Sequence, residues 1–282
     1  MKIFFLSLCG ACLFYTAAHA DDFLAPKQQN FGGFETTLHE KGTELTLTQQ
    51  YTDLTKNQGH THGTTLSANH HGTHYGIYGE IGRIHSQERA YQFKAGFAFS
   101  MTDRLSTKVE VGSSTKNKNI SPEKFGALSV EAHAFDRKMM FIPLLERKIY
   151  RNGIKTYLMA LDSVYYSDAV NSEGCYWATQ LHLKNTSPTL TRFQSTGVGL
   201  GTSYIHPQKY TLEIYGEAGS TYYENSDNLN QRDYSYYLIR PAIDIYLTNT
   251  ILFLLKATFQ RTKFYDAKEV VASLKWKLDG LP

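Results

Sequence analysis

The chain has 282 residues, with 29 Lys and Arg against 26 Asp and Glu, a formal charge of +3 without a long run of one sign. That balance sets aside a nucleic-acid-binding surface built on clustered cations. The 20 tyrosines and 16 phenylalanines, together with the lack of sustained helical periodicity, argue against an ordinary soluble enzyme.

The chain opens with Met1-Lys2, an apolar run "IFFLSLCGACLF" from Ile3 to Phe14, and a small-x-small site at Ala18–Ala20. The run is too short for a membrane helix, which needs about 20 residues. It reads as a cleaved export signal over residues 1–20, with maturation before Asp21. A lipoprotein signal through Cys12 is the weaker alternative, because Cys9 stands where such signals usually carry leucine. Cleavage removes Lys2, Cys9 and Cys12, leaving 28 cations against 26 anions and Cys175 as the sole cysteine, so no internal disulfide forms.

Residues 21–42 read as an N-terminal periplasmic extension and 279–282 as a C-terminal tail. Between them the chain alternates. In "YQFKAGFAFS", Tyr91, Phe93, Ala95, Phe97 and Phe99 oppose Gln92, Lys94, Gly96, Ala98 and Ser100. Leu105, Thr107, Val109 and Val111 oppose Ser106, Lys108 and Glu110 in the same way. Later, Leu212, Ile214 and Ala218 oppose Glu213, Tyr215 and Glu217, and Val270, Ala272, Leu274 and Trp276 oppose Glu269, Ser273, Lys275 and Lys277.

A soluble sandwich alternates too. These runs, however, reach the ten or so residues that a tilted strand needs to cross a hydrocarbon layer, and aromatic pairs such as Tyr165-Tyr166 and Tyr176-Trp177 mark their tips, as in an interfacial girdle. A closed sheet is also the strand architecture that satisfies its backbone in lipid. The expectation is therefore an all-β fold: a transmembrane antiparallel up-and-down β-barrel over residues 43–278, integral to an outer membrane. The strands are predicted at 43–53, 63–71, 73–85, 90–100, 105–114, 125–135, 138–150, 153–166, 175–185, 190–206, 210–223, 234–246, 250–264 and 268–278. That makes fourteen, or twelve if residues 43–71 are only an extension. Short links such as "MTDR" and "LTNT" fall on the periplasmic side, and longer polar ones, "TKNQGHTHG", "STKNKNISPEK" and "ENSDNLNQRD", fall outside.

Lys56–Gly76 holds five of the chain's 11 histidines. His60 and His62 are expected in an outer loop, and His70, His71 and His74 around an inner turn. A strand of about eight residues spans some 26 Å, far beyond the ~2 Å radius of one metal's ligand shell, so a single five-histidine metal site is excluded. Ser67 and His70 stand too far apart for nucleophilic catalysis, and no serine signature surrounds His133 or His182. No catalytic, metal or cofactor residue is assigned.

At three segments the chain resembles the YaiO family of outer-membrane β-barrel proteins: "LTLTQQYTDLTKNQGH", "HYGIYGEIGRIHSQERAYQFKAGFAF" and the final "VVASLKWKL". The resemblance implies outer-membrane location and, for some members, association with surface-polysaccharide systems. It carries over no site residue. Family barrels tend to end on an aromatic residue, an assembly signal, whereas Asp279-Gly280-Leu281-Pro282 follows here.

The functional expectation is a narrow channel or an accessory to surface-polysaccharide or small-solute passage. Its candidate lining is Glu80, Lys94, Lys108, Glu110, Glu213, Glu217, Arg240, Lys256 and Lys275. The alternatives are a structural or surface-interaction barrel plugged by side chains such as Tyr78 and Tyr215, and a lipid-modifying enzyme. The expected partners are outer-membrane lipid, the barrel assembly machinery and a surface-glycan system; no nucleic acid and no cofactor are implied.

Overall fold

The structure, a computed structural model, describes residues 42–55, 59–85, 89–102, 104–115, 122–135, 138–150, 155–167, 174–188, 195–206, 209–225, 228–262 and 266–278. The export signal, most of the N-terminal extension and the C-terminal tail lie outside these residues.

Period-two alternation becomes fourteen strands: β1 (Gly42–Leu54), β2 (Gly59–His71), β3 (Tyr75–His85), β4 (Arg89–Thr102), β5 (Leu105–Ser114), β6 (Lys124–Ala134), β7 (Met139–Ile149), β8 (Lys155–Tyr166), β9 (Tyr176–Pro188), β10 (Ser195–His206), β11 (Tyr210–Asn225), β12 (Asn228–Tyr246), β13 (Ile251–Thr262) and β14 (Asp266–Lys277). Each pairs antiparallel with its sequence neighbours, and β1 closes the ring on β14 with Glu44 opposite Lys277 and Leu54 opposite Ala267. Closure leaves no unpaired edge, the condition for crossing lipid with strands.

The twelve-strand alternative is thereby corrected. Residues 43–71 form β1 and β2 inside the ring, paired from Gly42–His71 to Leu54–Gly59. The outer loop expected to hold His60 and His62 is also shorter, because β2 already begins at Gly59. Their rings pack on Tyr51 across the strand, His62 at 4.8 Å and His60 at 6.2 Å between centroids, which extends the ladder through a polar stretch. The long loop expected at "ENSDNLNQRD" is likewise a hairpin, with Asn225 opposite Asn228.

Two prolines interrupt the ladder without shifting it. Between β6 and β7 the pairing lapses from Ser129–Leu144 to Ala132–Phe141, around Pro143. Between β12 and β13 it lapses from Ile239–Phe259 to Ala242–Lys256, around Pro241. A proline has no N–H to give its neighbour, and the flanking pairs keep the register.

Outside, the wall is an apolar belt that includes Leu66, Ile81, Phe93, Phe97, Val111, Leu200 and Ile214, all exposed. In water so continuous an apolar surface would be untenable; in lipid it is the solvated side. At the rim where β1 begins and β14 ends, the rim expected to be the inner one, stand aromatic side chains, among them Tyr75, Tyr165 and Trp177. The inside carries an apolar cluster near the inner end of β7–β10, formed by Met140, Ile142, Val164, Ala178 and Ile205, a second on β6–β8 formed by Ala127, Leu144, Leu158 and Ala160, and many polar side chains besides.

Candidate functional site

The inner wall is the surface with chemistry. Alternation forces every second side chain inward, and in a closed ring those side chains have only one another and the enclosed space to satisfy them. The charges resolve this by pairing. Lys94 on β4 meets Glu80 on β3 at 3.2 Å, and Lys108 meets Glu110 along β5 at 3.3 Å. The Lys108 ammonium also stands 4.6 Å from the centre of the Tyr78 ring, a cation–π contact. Lys275 on β14 meets Glu44 on β1 at 2.6 Å, and Arg240 on β12 donates to Glu213 on β11 at 2.8 Å. Lys256 is buried on the inner face of β13, near Thr258 and Glu269.

The Glu217 side chain is fully out of reach of solvent. One carboxylate oxygen accepts from Lys184 at 2.6 Å and from the Tyr236 hydroxyl at 2.7 Å; the other accepts from the Tyr215 hydroxyl at 2.6 Å. Arg240 lies over the Tyr215 ring at 4.4 Å, joining this knot to Glu213. Beside it, Asp162 on β8 accepts from His182 Nδ1 at 2.8 Å and from the Gln180 amide.

The knot exists because β10 has no side chains beneath it. The inward positions Gly197, Gly199 and Gly201 form a bare floor on which Tyr215 lies flat. A Cβ at Gly199 would collide with the Tyr215 hydroxyl, and one at Gly197 with that of Tyr236. Here close approach of a ring to backbone, rather than an unusual φ, is what requires glycine.

The nine candidate residues fall on the inner side, with Lys108, Glu110, Glu217, Arg240 and Lys256 buried and Glu80, Lys94, Glu213 and Lys275 half-buried. On the arc formed by β8–β12, Tyr215, Arg240 and Gln180 are buried to 2% exposure or less, and the wall is filled by its own side chains. On the opposite arc the side chains of Glu80 and Lys275 keep 21% and 22% exposure and face open space. Between β4 and β7, near the outer end, lies a shallow recess of ≈ 20 Å³ lined by Gln92, Lys94, Ser113, Phe125, Glu146 and Lys148.

Lys184, Asp162, Gln180, Tyr236, Glu44, Lys148 and Glu146 belong to the same wall and were not singled out by sequence. Their signal was parity alone: each sits two or four residues from another inward polar group on its strand or the next.

His182 and His133, weighed as catalytic bases, have carboxylate partners in Asp162 and Glu131, the latter at 2.7 Å. Opposite His182 on β10 stands Gly199. His60 and His62 lie at the outer end of β2, and His70 and His71 at its inner end. Among the described residues no group of three or more His, Cys, Asp or Glu is placed to hold a metal ion.

No family model and no curated protein matches the chain. Solved structures do. A bacterial polysaccharide outer membrane secretin is 8% identical, with 84% of this chain and 99% of that chain covered at a TM-score of 0.55. The CymD monoaromatic hydrocarbon channel is 10% identical, with coverage of 90% and 92% and a TM-score of 0.55. The outer membrane protein Omp33 of Acinetobacter baumannii is 9% identical, covering 85% and 99% at 0.52. The chain is an outer-membrane β-barrel. At these identities the likeness speaks for the fold alone; the closed ring and the lipid-facing belt place that fold in the membrane.

Proposed function

We propose that the barrel is a narrow channel for small polar solutes or glycan segments, and that it acts through its interior rather than as an enzyme. The observation that carries this reading is the unequal inner wall. Fourteen strands spaced ~4.8 Å apart and tilted about 40° make a ring about 28 Å across. A side-chain layer of about 5 Å on each wall leaves roughly 18 Å. The Tyr215–Glu217–Arg240 knot lies flat on one arc, while Glu80 and Lys275 keep about a fifth of their side chains exposed on the other. Charges of both signs, paired along the wall, suit hydroxyl-rich or zwitterionic solutes better than an ion of one sign or a hydrocarbon. The YaiO resemblance supports a glycan-related role, and one barrel of the same fold is described as a polysaccharide secretin.

The test is conductance. Purified barrel in a planar bilayer is expected to give small, stepwise openings. Changing Lys94 and Lys108 together to Glu is expected to move ion selectivity toward cations, since charge beside a narrow aqueous path is weakly screened. Folded, heat-modifiable protein that gave no steps would refute the channel and leave a plugged structural barrel.

A further inference from the structure

The outward face of β14, β1, β2, β3 and β4 changes character within one outward step. Cross-strand pairing defines rows of outward side chains. The row Leu274, Leu47, Leu66, Ile81, Phe93 is wholly apolar. The next row toward the outer end reads Ala272, Gln49, Thr64, Arg83, Tyr91, and the one above it Val270, Tyr51, His62, His85, Arg89. Lys268, Asp53 and His60 complete the edge. Two residues of strand, about 6.6 Å, separate one row from the next.

The polar rows are exposed, not folded inward: Arg83, His85, Arg89, His60, His62 and Lys268 all face out. Asp53 is the one carboxylate among these positions, and it stands opposite Lys268. Arg83 faces Thr64 and Tyr91, and Arg89 faces His85, so neither guanidinium has a carboxylate across from it in the register. Around them Tyr51, His60 and His62 form a rack of rings, with His60 edge-on to His62 at 5.2 Å.

We infer that this rim is a docking surface for the phosphate groups of the outer-leaflet lipid, with Arg83 and Arg89 as its anchors. A guanidinium matches phosphate with two parallel N–H donors, and the amphipathic rings of Tyr51 and Tyr91 stand at the depth where headgroups meet acyl chains. The acyl chains of the same lipid would lie on the Leu66–Ile81–Phe93 row directly below. The inference rests on the outer-membrane placement and on this rim being the outer one, and it is independent of whether the interior conducts.

The probes are bisphosphorylated lipid A and its enzymatically dephosphorylated form, each titrated into detergent-purified barrel and read by native mass spectrometry. The wild type is expected to bind the bisphosphorylated form at least 10-fold more tightly. Arg83→Gln and Arg89→Gln should each weaken that binding several-fold, and together remove the preference. Lys209→Gln, in an inner turn, should leave it unchanged. Millimolar inorganic phosphate should not displace the lipid, because the apolar row is part of the site. Each variant is checked for heat-modifiable migration, which shows that the barrel has folded. Equal binding of the two lipids by the wild type, or an undiminished preference in the folded double variant, would overturn the inference. Channel conductance is measured on the same samples, so that failure of the lipid site and failure of the channel are told apart.

Discussion

Gly199→Ala is the sharpest perturbation of the inner wall. Elsewhere in a strand, Ala for Gly gains about 0.5–1 kcal/mol, because the unfolded chain loses less freedom. At Gly199 the added methyl would occupy the place of the Tyr215 hydroxyl, so the ring must lift from β10. Forcing a methyl into a packed interior costs about 1–3 kcal/mol, and losing the Tyr215 hydrogen bond to the Glu217 carboxylate costs about 1.5–3 kcal/mol. Both losses pass through one ring and do not add fully; a net destabilisation of about 1–4 kcal/mol is expected. The assay is urea unfolding of barrel folded into lipid vesicles, followed by the fluorescence of Trp177 and Trp276. With a slope of about 2 kcal/mol per M, a 2 kcal/mol loss lowers the midpoint by about 1 M. Gly79→Ala is the control: its methyl meets nothing within 4 Å on the outward face, and the variant should unfold at or slightly above the wild-type midpoint. If Gly199→Ala matched Gly79→Ala, the flat packing of Tyr215 on β10 would be wrong.

Phe97→Lys places a cation on the lipid side of β4, opposite Ile77 and Val109, at a cost of about 2–4 kcal/mol near mid-membrane. Folded barrel should fail to accumulate, while Lys94→Phe, facing inward, should assemble; equal assembly of the two would reverse the assignment of faces. In a Cys175→Ala background, a cysteine at Asn228 beside the β11–β12 hairpin should react with a membrane-impermeant thiol reagent on intact cells. One at Thr248, exposed in the inner turn after β12, should react only after permeabilisation, and the opposite pattern would invert the orientation.

The alternating faces and the closed sheet were legible in the residues, while the choice of fourteen strands over twelve came from the pairing of β1 with β2 and β14. Inward and outward faces of β4, β5, β11 and β14 follow from alternation, because a strand's side chains have no third direction, and fourteen runs of crossing length leave closure as the way to satisfy their backbones in lipid. The ends of the strands were less legible. Polar His60 and His62, and Asn225 and Asn228, read as loops; ring packing on Tyr51 and the pairing of β11 with β12 made them ladder. The candidate site was legible only as a parity. Glu217 was chosen because it alternates with apolar residues, but its partners Lys184 and Tyr236 lie on β9 and β12, so only the register across β9–β12, with glycines leaving β10 bare between them, brings them together. The bare floor of Gly197 and Gly199, which lets Tyr215 lie flat, is likewise set by the tertiary structure: a glycine in a strand announces space, and only the neighbouring strand decides what fills it.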